Sequence, residues 1–248
     1  MTKLTTKFKN SINNFLKTFN LYLQKRHPGI DPTQQLITTF NYFNIDYVID
    51  VGANIGQFAS ELLDNQFKGE IISFEPLADA HIQLILNSKK YDNWKIFERT
   101  AIGNSEGEIK INISQNSVSS SILNISNVHL NASNKSAYVG SELTKITKLD
   151  NIYNNGSELI DKSVFLKIDT QGFEWEVLLG ASNMINNVKG ILCELSFDNL
   201  YDGQKNWLEI IDFLEKRGFR LWSIQYGLTD KNSGRTLQCD AIFYKIHE

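Results

Sequence analysis

Two periodicities alternate along the chain. Short apolar runs rich in β-branched and aromatic residues predict strands at residues 47–51, 70–75, 94–98, 164–169 and 190–197. Between and after them, apolar positions three and four apart predict helices at 57–65, 78–89, 173–185 and 205–216. Repeated βα units of this kind specify an α/β fold, a mostly parallel sheet with helices on both faces. The last two apolar runs, FRLWSI and LQCDAIFYK, follow Gly218 and flank the polar GLTDKNSGRT, the pattern of an antiparallel hairpin closing one sheet edge.

Both the N-terminus and the middle of the chain depart from this rhythm. In residues 1–26, Leu4, Phe8, Ile12, Phe15, Phe19 and Leu23 recur at three- and four-residue steps, one face of a helix. The same stretch holds Lys3, Lys7, Lys9, Lys17, Lys25 and Arg26 and no acid. Such a stripe is expected to pack on its own domain with the lysines in water; the alternative is docking on an anionic membrane or on a partner. Asp31-Pro32-Thr33-Gln34 then supplies an N-cap, a first-turn proline and a capping-box glutamine for a second helix through Phe43. Residues 1–44 therefore read as an N-terminal helical extension to a domain spanning 45–248. Within it, residues 103–150 hold a hairpin segment at 108–113 and the tract SQNSVSSSILNISNVHLNASN, too polar for a core and read as an insertion or lid.

With 248 residues and 42% hydrophobic composition, one domain can bury a substantial core. A formal net charge of -3 argues against a general nucleic-acid-binding surface. Cys193 and Cys239 stand in apolar runs without metal-ligand or redox spacing, so buried thiols are expected. No apolar run reaches the length of a membrane span, and no signal-peptide core is evident, so a cytoplasmic location is expected and the sequons at Asn112, Asn124, Asn131 and Asn155 carry no weight. The oligomeric state leaves no trace in the sequence.

Ligands of open α/β sheets bind beyond the carboxyl ends of the strands, which directs attention to VIDVGANIG at residues 48–56. Gly52 permits a sharp turn, Asn54 tolerates a left-handed backbone and Gly56 admits the next helix close to strand and ligand. The spacing is not that of a dinucleotide fingerprint, because Asn54 and Gln57 stand where glycines would be. Glu75, followed by Pro76, ends the next strand at the separation where an acid meets ribose hydroxyls. Asp50 adds negative charge beside the loop, which suits a ligand carrying an ammonium and a sulfonium rather than a pyrophosphate.

Together, VIDVGANIG, FEP, TAIG (100–103), TKLDN (147–151) and LKIDTQGFEWEVLLGA (166–181) resemble the FkbM-type family of class I S-adenosylmethionine-dependent methyltransferases, over roughly residues 45–245. The resemblance implies a Rossmann-like seven-stranded sheet of order 3-2-1-4-5-7-6 and methylation of a hydroxyl on a sugar, polysaccharide or natural product. It assigns Asp50, Gly52, Asn54 and Gly56 to the amino-acid end of S-adenosyl-L-methionine, Glu75 with Pro76 to the ribose, and Thr100 and Ala101 to the adenine edge.

Asp169 follows the strand neighbouring the first, beside the methyl end of such a donor. An alcohol acceptor must lose a proton, and Asp169, Glu174 and Glu194 are the candidate bases, with Asp169 preferred over its alternative role as a helix cap. The same three acids could share a magnesium ion, but no spacing demands a metal. His27, His81, His129 and His247 read as surface residues, His129 being the one an insertion could lower onto substrate, and Ser119, Ser120 and Ser121 could line a lid.

Two other functions compete. Tyr201/Lys205 and Tyr91/Lys95 both fit the Tyr-x-x-x-Lys of NAD(P)-dependent short-chain dehydrogenases, though Gly203 interrupts one and a strand follows the other. A methyltransferase-like module kept only for binding is the other, against which stand polar groups at three strand ends.

Overall fold

The computed structural model describes residues 3–246, with side chains from residue 8 onward apart from Asn134; His247 lies outside the described residues. Along the chain run α1 (Lys3–Leu16), α2 (Pro32–Phe43), β1 (Tyr47–Val51), α3 (Gln57–Asp64), β2 (Glu70–Phe74), α4 (Ala78–Ser88), β3 (Trp94–Ile96), β4 (Thr100–Ile102), β5 (Gly107–Ser114), α5 (Asn127–Ala132), β6 (Tyr138–Thr147), α6 (Leu149–Ile152), β7 (Val164–Ile168), α7 (Glu174–Gly180), β8 (Val188–Ser196), α8 (Trp207–Glu215), β9 (Phe219–Tyr226) and β10 (Gln238–Lys245).

Seven strands form one sheet in the order β3-β2-β1-β7-β8-β10-β9. Numbered within that sheet, the order is 3-2-1-4-5-7-6, as the resemblance implies. Only β10 runs against its neighbours, pairing antiparallel with both β8 and β9. The central strands β1 and β7 are buried at every position because helices cover both faces, which is why their sequences run apolar without alternation. One face packs Ile49, Leu166 and Ile191 against Val177, Leu178 and Leu214; the other packs Val48, Phe165 and Leu192 against Leu36, Phe40, Leu62 and Leu84.

α2 is thus part of the core and not an appendage: Phe40 lies 4.7 Å from the Phe165 ring, and Gln225 Nε2 donates to Pro32 O at 3.1 Å. Its start follows from the residues expected to cap it, with Asp31 Oδ1 accepting from Gln34 N at 3.0 Å. α1 behaves otherwise. It ends at Leu16, a 3-10 turn follows over Lys17–Phe19, and Asn20 at φ 55° stops it, so Leu23 is not on the helix. Contrary to the expected packing, Phe8, Phe15 and Phe19 are 70%, 65% and 61% exposed.

One further expectation is corrected and another is extended. The helix anticipated at 173–185 breaks at Gly180, where a Cβ would lie 1.9 Å from the Gly103 carbonyl oxygen, and a 3-10 turn resumes over Met184–Asn187. The hairpin segment expected at 108–113 lies within β5, which pairs antiparallel with β6; β6 also pairs parallel with β4, making a second, three-stranded sheet. Ser114, Ser119, Ser120, Ser121 and Ser136 of the polar middle segment are buried because hydroxyls satisfy neighbouring groups. Ser120 Oγ accepts from Ser114 N at 3.0 Å, Ser119 and Ser136 hydroxyls meet at 3.0 Å, and Ser121 Oγ donates to Gln171 O at 2.6 Å. Cys193 and Cys239 are free, buried thiols. No helix among the described residues is long and apolar enough to cross a membrane.

Candidate active site

The glycine loop is built by mutual approach of strand ends. Asp169 N donates to Val51 O at 3.2 Å, while Gly52 N and Ala53 N donate to Phe74 O at 3.1 and 3.0 Å. Gly52 holds φ 76°, and a Cβ there would lie 1.8 Å from Asp169 O, so no side chain fits. Asn54, at φ 49°, turns its N–H onto Glu75 Oε2 at 2.7 Å. Gly56 presses against the Trp94 ring, letting α3 start directly above the loop.

Glu75 is 4% exposed, and its Oε1 accepts from Leu77 N at 2.9 Å. Burial pushes its carboxyl up to about 7 against the pull of the Leu77 and Asn54 N–H groups. Each carboxylate oxygen has two lone pairs, so one backbone donor apiece leaves further acceptor capacity.

That capacity borders a cavity of about 410 Å³ across the carboxyl ends of β1, β2 and β7. Gly52, Asn54, Glu75 and Pro76 line it on one side, Thr100 and Ala101 of β4 on another. The serine-rich segment contributes Ser117, Val118, Ser120 and Ile122, so the expected lid does border the cavity. α2 contributes Pro32, Thr33 and Leu36, and the far strands add Gln225, Tyr226 and Asp240.

Asp50 does not line this cavity. It is fully buried, with Lys167 Nζ 3.1 Å from Oδ1 and Ser73 Oγ donating to Oδ2 at 2.9 Å. Its charge is matched inside the protein, which corrects the expectation that it faces a cationic ligand. Lys167 also donates to Gly52 O at 2.7 Å and lies 3.7 Å from Asp169 Oδ2. Burial works against its charge, but Asp50 and then Asp169 outweigh that and hold the ammonium above the ordinary lysine range. Lys167 therefore ties the glycine loop to the end of β7.

Of the three candidate bases, Asp169 alone borders the cavity, its side chain 37% exposed. Glu174 turns inward: its Oε1 accepts from Thr170 N at 2.9 Å, Gly172 N at 3.1 Å and Thr170 Oγ1 at 3.2 Å, fixing the DTQG turn. Burial raises its carboxyl to about 7. Glu194 lies behind Gln171, whose Nε2 donates to Asp169 Oδ1 at 2.8 Å and to Glu194 Oε2 at 2.9 Å. Burial, reinforced by Asp169, keeps Glu194 well above the carboxylate range. Gln171 Oε1 in turn accepts from Tyr201 OH at 2.8 Å.

Lys167, Gln171 and Asp240 thus belong to the site although none was singled out in the sequence, and Tyr201, expected only as half of a Tyr-x-x-x-Lys pair, joins them through Gln171. Lys167 and Asp240 had a visible signal, each a charge inside an otherwise apolar strand. Asp240 pairs in register with Glu194 and Gln225, and burial and then the Asp169 charge raise it to about 7.

His129 is buried, contrary to a surface reading, with its ring edge-on to Tyr201 at 5.2 Å and its pKa lowered to about 4 by burial. It does not border the cavity. His81 lies against Phe97 O at 2.9 Å, and His27 accepts from Gly29 N at 3.1 Å. Neither Tyr-x-x-x-Lys pair lies on a helix: Lys205 precedes α8, and Tyr91 precedes β3, which contains Lys95. Among the described residues no group of three His, Cys, Asp or Glu is arranged to hold a metal ion.

A family model described as the methyltransferase FkbM domain matches residues 50–221. A hexuronic acid methyltransferase, AglP, of Haloferax volcanii is 27% identical over 150 residues, 60% of this chain and 56% of the relative. A 2-O-methyltransferase, NoeI, of Sinorhizobium fredii is 28% identical over 175 residues, 67% of this chain and 70% of the relative. The alignment thus spans little more than half the length of the Haloferax relative. Among solved structures, a methyltransferase FkbM from Methylobacillus flagellatus KT superposes with a TM-score of 0.46 at 14% identity, covering 81% of this chain and 44% of that one. At that score the superposition carries no weight beside the strand order itself.

Proposed function

The chain belongs to the methyltransferase FkbM family, and on that premise we propose that it transfers the methyl group of S-adenosyl-L-methionine to a hydroxyl of a saccharide. The observation that carries the reading is one cavity bordered by two differently prepared carboxylates: Glu75, buried with spare acceptor capacity, and Asp169, partly open and held by Gln171. The donor set fits the cofactor. Glu75 suits vicinal ribose hydroxyls, Leu77, Ala101 and Ile122 offer an apolar wall to a purine, and the volume is within the usual range for small-molecule sites.

When bound, S-adenosyl-L-methionine supplies an activated methyl on a good leaving group, so the protein's share is positioning and proton removal. Asp169 accepts the proton of the acceptor hydroxyl at a carboxylate oxygen. Gln171 and Lys167 hold that carboxylate in place, and Glu174 and Glu194 support the turn behind it. The acceptor enters past Gln225, Asp240 and Tyr226, a residue 94% exposed that offers an aromatic face to a sugar. A saccharide acceptor is supported by the names of both relatives, one a hexuronic acid methyltransferase and one a 2-O-methyltransferase. The dehydrogenase reading has no comparable support, since its tyrosine and lysine never share a helix.

Calorimetry with S-adenosylhomocysteine, followed by methyl-group transfer from labelled donor to uronic acid and neutral oligosaccharides, tests the proposal. Binding and transfer to a sugar hydroxyl are expected. A folded protein that ignores S-adenosylhomocysteine overturns it, and binding without transfer to any hydroxyl leaves the binding-module alternative in its place.

A further inference from the structure

Among the described side chains, the phenylalanines of the α1 stripe stand open to solvent, although the sequence spaces them with helical regularity. Phe8, Ile12, Phe15 and Phe19 follow one another at steps of four, three and four, and the three phenylalanines are exposed. The chain then folds back on the helix and adds to the patch. Leu21 N donates to Leu16 O at 3.0 Å, and the Asn13 side chain pairs with both backbone groups of Leu23. This sets the exposed Leu21, Tyr22 and Leu23 beside the end of the stripe. A soluble surface rarely concentrates so many large apolar side chains without something to cover them.

Charge identifies the cover. The first 26 residues hold six basic side chains and no acid, although the whole chain carries a net charge of -3, so the remainder is distinctly acidic. Arg26 is paired with Asp31. Lys9 and Lys17 lie off the phenylalanine face, and Lys25 extends past the fold-back, where no neighbouring acid in the segment can neutralise them. A basic rim around an exposed aromatic stripe matches an interface with negative headgroups and an apolar interior, and the acidic remainder of the protein would be held off the same surface. We propose that residues 3–26 dock the protein on an anionic membrane surface, the phenylalanines entering the headgroup boundary and the lysines engaging lipid phosphates. Because Pro32, Thr33 and Leu36 border the cavity, the docked segment is joined within a few residues to one wall of the candidate active site.

Co-sedimentation of the full chain with phosphatidylcholine vesicles, and with vesicles containing phosphatidylglycerol, tests the proposal independently of any methyl transfer. Partition is expected to be at least about tenfold stronger on the anionic vesicles and to weaken as salt is raised from roughly 0.1 to 0.5 M. The variant Phe8→Ser/Phe15→Ser/Phe19→Ser is expected to lose binding while its thermal unfolding stays that of the parent, since none of these side chains is buried. Lys9→Glu/Lys17→Glu/Lys25→Glu is expected to remove the preference for anionic lipid. Equal partition on both vesicles, or none on either, overturns the proposal. So does a phenylalanine-dependent dimer seen by sedimentation velocity without vesicle binding, which assigns the face to a second copy of the chain.

Discussion

Glu75 and Asp169 carry opposite burdens, and substitution separates them. Removing the Glu75 side chain deletes buried acceptors, so Glu75→Ala is expected to weaken S-adenosylhomocysteine binding by about 1–3 kcal/mol in calorimetry. The wild-type affinity is expected to rise as pH climbs through about 7, where the Glu75 carboxyl ionises and becomes the better acceptor, and Glu75→Gln is expected to flatten that slope. Asp169→Asn keeps shape and the Gln171 contact region but no longer takes a proton. Turnover is expected to fall by about 100-fold or more while S-adenosylhomocysteine affinity stays within about tenfold; unchanged turnover removes Asp169 as the base. Both residues were legible in the sequence because each ends an apolar strand. Gln171 and Tyr201 were not, because their roles depend on two loops meeting through hydrogen bonds that no local pattern encodes.

At the scale of elements, legibility followed burial. Strands β1 and β7, covered on both faces, showed their limits plainly in sequence, and so did the capped start of α2. The hairpin at 108–113 was legible, but its partner strand β6 was obscured because it is half exposed and the intervening serines are buried by mutual hydrogen bonding, a composition that looks like polar loop. The strand-end junctions are tight in a way that can be measured. Gly52→Ala introduces a Cβ 1.8 Å from the Asp169 carbonyl at a positive φ, whereas Gly203→Ala meets nothing within 4 Å at a φ of 78°. The second substitution is expected to cost roughly 1–2 kcal/mol from backbone strain alone, and the first clearly more, in urea unfolding. Equal costs mean that β1 and β7 do not close on each other at the glycine loop.

For the molecule as a whole, the site concentrates acids that folding keeps from water. Glu75, Glu174 and Asp240 are each raised to about 7, with burial the leading cause. In the unfolded chain their ordinary values are near 4.5, 4.5 and 3.8, so between those values and about 7 the folded state holds protons that the unfolded state has released. Stability rises with pH only where the unfolded state binds more protons; here it binds fewer, so the contribution of these acids falls as pH rises across that window. The Lys167 pairing with Asp50 does not offset this, because a lysine held above its ordinary value contributes fully throughout the same range, and His129, lowered to about 4 from 6.5, works the other way over only part of the window and is one group against three. The ligand-free protein is therefore expected to unfold at higher urea concentration at about pH 5.5 than at about pH 8, and Glu75→Gln/Asp240→Asn is expected to shrink the difference. Saturating S-adenosylhomocysteine is expected to narrow it as well, since a ligand that prefers ionised Glu75 stabilises the folded state most where the bare protein is weakest. A midpoint that instead increases toward alkaline pH means that these three carboxyls are solvated in the free protein.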